Sequence, residues 1–166
     1  MDLNLKTPFF LRIDGIEGES QVAHHEGEID IRSWSWEENQ SGTSSVGAGR
    51  VSMQDFKFSM FVNKATPKLI VACASGTRIK EAVLSCHKAI GDSQIYLQYK
   101  FFDLIISSYK TGVANAGSPD KLDLMPLEEI TFNYSRIEVE YRQQQEDGTL
   151  GGVVCSGWDL KKNQRV

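Results

Sequence analysis

The feature that most constrains this chain is an alternation of apolar and polar side chains with a period of two residues. Phe9, Leu11 and Ile13 alternate with more polar neighbours, and residues 56–62 repeat the pattern. A period of two places every second side chain on one face of a β-strand. Valine, isoleucine and threonine number 30 against 21 alanines and leucines, a balance that also favours strands. The sequence therefore predicts a mainly β protein.

The alternation breaks at three places, and these breaks predict how the sheet is shaped. At each one, two large apolar residues stand three positions apart, at Ile31 and Trp34, at Phe101 and Leu104, and at Tyr134 and Ile137. A step of three moves the apolar side chains to the other face. Each break is therefore either a β-bulge or a strand that bends from one sheet into another. We expect a closed or nearly closed barrel rather than a flat open sheet.

One short helix is predicted at about residues 67–75. Thr66 is a suitable N-cap, Pro67 suits the first helical position, and Gly76 can take the left-handed conformation that ends a helix. Residues 78–88 are ambiguous: Ile79, Ala82, Val83 and Cys86 have helical spacing, whereas Ala82, Leu84 and Cys86 have strand spacing. Taken alone, the period favours a helix there.

Two long connections stand apart from the strands. Residues 40–49 (QSGTSSVGAG) contain three glycines and four serines or threonines, and residues 111–126 contain two glycines and two prolines. Such compositions predict loops, and loops of this length in compact domains are often functional.

Length and charge exclude several classes of protein. The 166 residues predict a single domain spanning the whole chain. The net charge is −4, and the one basic cluster is Lys161, Lys162 and Arg165, so nucleic acid is not an expected partner. The longest stretches without charge have 11 residues, whereas a membrane span needs about 20 apolar ones. The first residues lack the pattern of a signal peptide, so we expect synthesis in the cytoplasm without a cleaved leader.

No catalytic or metal-binding constellation is evident in the sequence. Cys73, Cys86 and Cys155 are expected to be buried free thiols, because no second motif completes a zinc site. Successive residues of an extended chain point to opposite sides, so His24 and His25 cannot easily share a metal ion, and a solvated polar turn is expected there. We predict no enzyme activity, no cofactor and no metal.

Other candidate motifs are equally weak. The glycines at 47 and 49 are followed by Arg50 and a predicted strand, which does not fit a phosphate-binding loop. Glu17 and Glu19 lie in a glycine-rich turn, where exposed carboxylates are poorly suited to acid catalysis. Trp34 and Trp36 resemble a sugar-stacking platform, but two tryptophans on a strand are more often core or interface anchors.

Taken together, several segments resemble the hemolysin-coregulated protein (Hcp) family, the inner-tube subunit of bacterial type VI secretion systems. The resemblance runs in order over about residues 9–165. Its most specific parts are a turn after the first strand, a tryptophan-containing strand and a block near the end, at residues 15–20 (GIEGES), 29–36 (IDIRSWSW) and 157–163 (GWDLKKN).

The resemblance implies a fold, an assembly and a set of partners. It implies a β-barrel of two antiparallel-rich sheets with one short side helix, in which residues 78–88 form a strand, against the helical count. It implies homohexameric rings that stack into a tube, with small effector proteins in the lumen and with spike, sheath and baseplate components as further partners. It also implies a chain that is secreted from the bacterial cytoplasm.

The resemblance also assigns roles to named residues. The segment after the tryptophan strand corresponds to the family's extended loop, which reaches toward an adjacent ring, at Gly42, Thr43, Ser44, Ser45, Val46, Gly47, Ala48, Gly49 and Arg50. Subunit-interface or core anchors are expected at Trp34, Trp36 and Trp158.

Two alternatives from other functional classes stay open at this stage. One is a β-sandwich module that binds carbohydrate through Trp34 and Trp36. The other is a hydrolase whose site combines a serine or cysteine with His24 or His25, since such residues need not be close in the sequence.

Overall fold

Strands dominate the computed structural model, which describes residues 7–113, 116–117, 119–120 and 124–166. One helix lies between the sixth and seventh strands. In chain order the elements are β1 (Phe9–Ile13), β2 (Ile29–Asp30), β3 (Ser33–Ser35), β4 (Glu38–Gln40), β5 (Val51–Met53), β6 (Phe56–Phe61), α1 (Thr66–Ser75), β7 (Arg78–His87), β8 (Ile95–Gly112), β9 (Leu127–Asn133), β10 (Arg136–Gln144), β11 (Leu150–Asp159) and β12 (Gln164–Arg165).

Ten of the strands form one bent antiparallel sheet. Its main path runs β12-β11-β10-β8-β7-β1-β2, and a branch leaves the long strand β8 through β9 and β6 to β3. The remaining strands, β4 and β5, pair only with each other as a separate two-stranded sheet. The predicted mainly β fold with one short side helix is therefore confirmed.

The first break in the alternation is a point where the chain changes its partner strand. The amide of Ile31 donates to the carbonyl of Phe9 at 3.3 Å, and the next amide, of Arg32, donates to the carbonyl of Ser59 at 2.7 Å. Residues before the break thus pair with β1, and residues after it pair with β6. The flip of the apolar face is a bend from one part of the wall to another.

The other two breaks also mark bends. At Asp103 the backbone takes a left-handed φ of 56°, and β8 passes there from pairing with β10 to pairing with β9. Tyr134 lies in the two-residue connection between β9 and β10. The expectation of a closed or nearly closed barrel needs one correction. Over the part of the chain that the structure describes, the sheet is not closed, because β2 pairs only with β1 and β3 only with β6.

Aromatic rings fill the centre of the core. Phe56 and Phe132 are fully buried on neighbouring strands with ring centroids 5.1 Å apart, and Phe101 on β8 lies 4.8 Å from Phe56. Tilted and edge-to-face rings at these spacings are mutually attractive. The wall therefore bends around an aromatic cluster built from strands that are distant in sequence.

The helix forms where it was predicted, but Thr66 is not its N-cap. The carboxamide oxygen of Asn63 instead accepts the amide of Ala65 at 2.8 Å. Thr66 lies inside the first turn, where its hydroxyl points toward the sheet and donates to Glu128 at 2.9 Å. The prediction for the other end is confirmed, since Gly76 has a φ of 63° and its amide bonds the carbonyl of Ala72.

Residues 78–87 form strand β7, as the resemblance implied, and the helical count was wrong. The strand lies between β1 and β8, and six successive residues from Ala82 to His87 are buried. A strand covered on both faces has no alternation. Apolar residues then fall at helical spacing by coincidence.

The two predicted loops differ in outcome. Residues 41–50 extend the β4–β5 pair into a hairpin, so they are more ordered than their composition indicates. Thr111 and Gly112 belong to the end of β8 and were wrongly assigned to the second loop. Part of that loop, at residues 114, 115, 118 and 121–123, lies outside the described residues.

Candidate assembly surface

The hairpin of residues 38–53, named here the arm, is stabilised mainly by its own hydrogen bonds. At its base, Glu38 pairs with Met53 and Gln40 with Val51. Farther out, the hydroxyl of Ser41 accepts the amide of Arg50 at 3.0 Å and donates to its carbonyl at 3.1 Å.

The tip of the arm is a compact turn. The amide of Gly47 donates to the carbonyl of Thr43 at 2.8 Å. A side chain at Gly42 would overlap the opposite backbone, so the glycine permits the close approach of the two halves. The nine predicted loop residues, 42–50, thus lie together on one projection, and all but Gly42 are exposed.

Trp36 anchors the root of the arm to the core. Its indole Nε1 donates to the hydroxyl of Tyr134, which in turn donates to the backbone carbonyl of Gln54 at 3.0 Å. The amide of Gln54 donates to the carbonyl of Glu37 at 2.8 Å and closes the base of the arm. Burial raises the pKa of Tyr134 to about 12, so its hydroxyl remains a donor throughout the physiological range. These hydrogen bonds therefore attach the base of the arm to the core.

The other two predicted tryptophans are half-buried and pack against the core. Trp34 stacks on Phe56 with ring centroids 6.2 Å apart and lies 5.4 Å from Tyr99. Trp158 on β11 lies opposite Ile137 of β10. All three tryptophans pack against the core, and their role as core or interface anchors remains a prediction.

A groove of about 580 Å³ separates the base of the arm from the face of the main sheet. Val51 and Met53 line it on the arm side, and Tyr99, Val139 and Trp158 line it on the sheet side. Trp36 and Trp158 therefore meet at one groove. Trp34 does not line it. Trp34 and Trp36 are both only partly exposed, which does not favour the open platform that the carbohydrate alternative requires.

Strand β11 has an open edge beside this groove. Among the described residues it pairs with β12 only at Trp158 and Asp159. The stretch before them exposes apolar side chains, with Val153 43% and Val154 69% exposed. An open edge with exposed apolar side chains readily pairs with another chain. The sequence analysis missed this edge, although the run Val153–Val154 without a charge was a usable signal.

The candidate catalytic residues do not assemble into a site. His25 is 2% exposed, and both of its ring nitrogens are engaged, with Glu28 and with His87, so the expected solvated turn was wrong for this residue. His24 is exposed and has a left-handed φ of 68°. These contacts therefore place neither histidine beside a serine or cysteine nucleophile, as the hydrolase alternative would require.

The paired carboxylates and the cysteines also have other roles. Glu17 and Glu19 both bind Lys64, at its ammonium (2.9 Å) and its amide (3.0 Å), and the ammonium lowers the pKa of Glu17. Cys86 is buried and Cys73 half-buried, but Cys155 is exposed on β11, contrary to expectation. Within the described ranges, no cluster of three or more histidine, cysteine, aspartate or glutamate side chains could hold a metal ion.

Comparison with known proteins decides the family. The family described as "Type VI secretion system effector, Hcp" matches residues 10–141. The chain is 37% identical over 160 residues to protein hcp1 of Pseudomonas aeruginosa, covering 93% of this chain and 95% of that one. The chain belongs to the Hcp family.

Solved Hcp structures share the whole fold. Hcp1 from Salmonella typhimurium superposes with a TM-score of 0.79 at 32% identity, covering 95% of this chain and 97% of that one. A structure described as a type six secretion system protein has a TM-score of 0.85 at 27% identity, covering 95% and 98% of the two chains. Among the described residues of this Hcp chain, no helix has the length and apolar character needed to cross a membrane.

Proposed function

We propose that this Hcp chain, as a single domain over residues 1–166, is a non-enzymatic subunit of a type VI secretion tube. Six copies form a ring, and rings stack into a tube with a continuous lumen. Membership of the Hcp family supports this structural role in secretion. The resemblance also supports three further parts of the proposal. These are spike, sheath and baseplate components as partners, small effector proteins in the lumen, and secretion from the bacterial cytoplasm.

The arm is the observation that carries the proposal. Residues 39–49, the outer part of the arm between Glu38 and Arg50, contain no charged side chain, so another subunit can cover this part without the cost of desolvating an ion. Val46 at its tip is 86% exposed, which offers an apolar contact. We assign the arm to the contact between stacked rings.

The open edge of β11 is assigned to the contact within a ring. A closed ring covers such an edge in every subunit and leaves none exposed. Val154 lies on this edge, whereas Val46 lies at the tip of the arm. A separate substitution can therefore address each contact.

Substitution of one exposed valine at a time tests this division. Val46→Asp places a charge at the arm tip, where stacking would bury it. We expect it to leave rings intact and to reduce the fraction of stacked rings at least tenfold, measured by negative-stain electron microscopy. Val154→Asp is expected to abolish rings, with monomers measured by mass photometry.

Val71→Asp on α1 is the matched control, because Val71 is 63% exposed and lies on neither assigned contact. It is expected to assemble like the wild-type chain. Deletion of residues 42–49 is expected to behave like Val46→Asp. Stacking that survives this deletion would refute the role of the arm, and rings formed by Val154→Asp would refute the role of the β11 edge.

A further inference from the structure

Two buried histidines make a contact that the assembly surfaces do not use. His25 and His87 are 2% and 5% exposed, and their Nε2 atoms lie 2.8 Å apart. The other nitrogen of His25, Nδ1, lies 2.8 Å from a carboxylate oxygen of Glu28. The ring of Phe10 stacks on His25 with centroids 4.2 Å apart and excludes water from that side.

The contacts limit how many protons the closed pair can hold, and two neutral rings are one arrangement that fits them. The carboxylate of Glu28 can only accept, so Nδ1 of His25 carries a proton. In neutral His25 the Nε2 atom is then bare, and it accepts the Nε2–H of His87. The remaining nitrogen, Nδ1 of His87, makes no hydrogen bond of normal geometry among the described residues, although interactions with the backbone of Asp92 and Gln94 act to raise the pKa of His87. Two neutral rings thus satisfy both hydrogen bonds.

The closed histidine pair can take up one additional proton but not a second. One proton can enter at Nδ1 of His87, and the resulting positive charge is balanced by Glu28. A second would place an N–H on both Nε2 atoms at 2.8 Å, where two donors and two like charges would face each other. The contact must open before it can take up that proton. An exposed histidine, in contrast, is protonated below about pH 6.5.

The charged groups around the pair do not remove this restriction. Glu28 and Asp30 lie on the His25 side, and Asp92 lies in the turn after β7. Burial, followed by the charge of His25, lowers the pKa of His87, and Asp92 opposes this shift. The adjacent thiol of Cys86 is neutral, because burial raises its pKa to about 12.

The contact joins two segments that are distant in sequence. His25 belongs to the β1–β2 connection, whose residues 20–28 are turned on themselves by bonds such as Gly27 amide to Ser20 carbonyl at 2.9 Å. His87 is the last residue of β7. We propose that the His25–His87 contact is a proton-sensitive latch, which holds the β1–β2 connection against the end of β7 at neutral pH and releases it in mild acid. This latch is a property of the folded chain and does not depend on the proposed tube.

Hydrogen exchange on the full chain tests the latch. The opening constant of amides in residues 20–28 is measured between pH 7.5 and 5 after correction for intrinsic exchange. Because the open form binds about one more proton, we expect that constant to rise about tenfold per pH unit below pH 6. Nitrogen-15 spectra of the imidazoles should show the proton on Nδ1 of His25 and on Nε2 of His87 at pH 7.5.

Two variants separate the latch from general acid sensitivity. His87→Gln can still donate to His25 but cannot take a charge, and its opening constant should change less than twofold between pH 6 and 5. His24→Asn, at the exposed neighbouring position, should respond like the wild-type chain. If His87→Gln does not fold, the nitrogen-15 spectra and the hydrogen exchange of the wild-type chain still test the proposal. Any of three results would overturn the proposal. The first is amide protection in residues 20–28 that is unchanged at pH 5, and the second is spectra that show no proton on either Nε2 atom. The third is loss of the acid response in His24→Asn.

Discussion

The buried carboxylate of Glu128 offers a quantitative test of how the helix is attached to the sheet. Glu128 on β9 is 1% exposed. Its Oε1 accepts the hydroxyl of Tyr109 on β8 at 2.7 Å, and its Oε2 accepts the hydroxyl of Thr66 on α1 at 2.9 Å. The Thr66 hydroxyl also accepts the amide of Asn63 at 3.1 Å. One side chain therefore connects two strands with the start of the helix.

Glu128→Ala is expected to lower the free energy of unfolding by about 2–4 kcal/mol. It leaves the buried hydroxyl of Thr66 without an acceptor, at a cost of about 1–3 kcal/mol, and the half-buried hydroxyl of Tyr109 without one at a smaller cost. The substitution also removes the desolvation cost of a buried charge. Glu128→Gln keeps the shape, and its amide can accept from one hydroxyl and donate to the other. The loss of the charge-assisted bonds is then expected to cost about 1 kcal/mol. Urea unfolding at one protein concentration measures both values.

The next residue provides a matched control. Glu129 has a side chain 46% exposed and pairs with Lys57 at 3.3 Å, so Glu129→Ala is expected to cost less than about 0.5 kcal/mol. Burial, followed by the bond to Glu128, raises the pKa of Tyr109 to about 12. That pKa should fall in Glu128→Gln, as measured by ultraviolet titration. If Glu128→Ala is as stable as Glu129→Ala, the reasoning about the buried acceptor is wrong.

Two further predictions concern the loss of stability at low pH, called here the acid limb, and the glycine-rich turn after β1. Hydrogen bonds from Lys161 (2.7 Å) and Arg78 (2.8 Å) lower the pKa of Asp103 to about 2. The contribution of these bonds to the free energy of unfolding is therefore fully present above about pH 4 and is lost as the pH falls toward 2. Asp103→Asn should flatten that limb in urea unfolding and cost less than about 1 kcal/mol at pH 7, whereas an unchanged limb would contradict the assignment. A Cβ at Gly18 would lie 2.5 Å from a backbone carbonyl just before β2, so Gly18→Ala is expected to lose about 1–3 kcal/mol of stability in the same assay. Gly152→Ala, where nothing lies within 4 Å, should be near neutral, and equal costs would refute the steric argument.

The sequence predicted where the sheet bends, but not the backbone geometry or the strand pairing at each bend. Each three-residue step indicated a change of face, and each proved to be a bend. Only the structure distinguishes the left-handed residue Asp103 within β8 from the exchange of partners at Ile31 and Arg32. Local spacing records that the apolar face flips, but it does not contain the identity of the strand that pairs next.

Long-range contacts account for the main errors about single residues. His25 lies among polar neighbours in sequence, yet it is buried because His87 contacts it from 62 positions away. Strand β7 has helical spacing because both of its faces are covered. Cys155 has an apolar sequence context, yet it lies on an open edge that only the pairing pattern reveals. Composition predicted a loop at residues 40–49, where the arm lies, but not its hairpin form, and the attachment of the arm through Tyr134 depends on a residue 98 positions from Trp36.

Electron microscopy of the purified wild-type chain tests the central claim most directly. The account predicts six-fold rings with an open centre, with a mass of about 112 kDa for six chains of 18.6 kDa, and stacks of such rings at higher protein concentration. A particle of 18.6 kDa at every concentration, with no ring in the images, would contradict it.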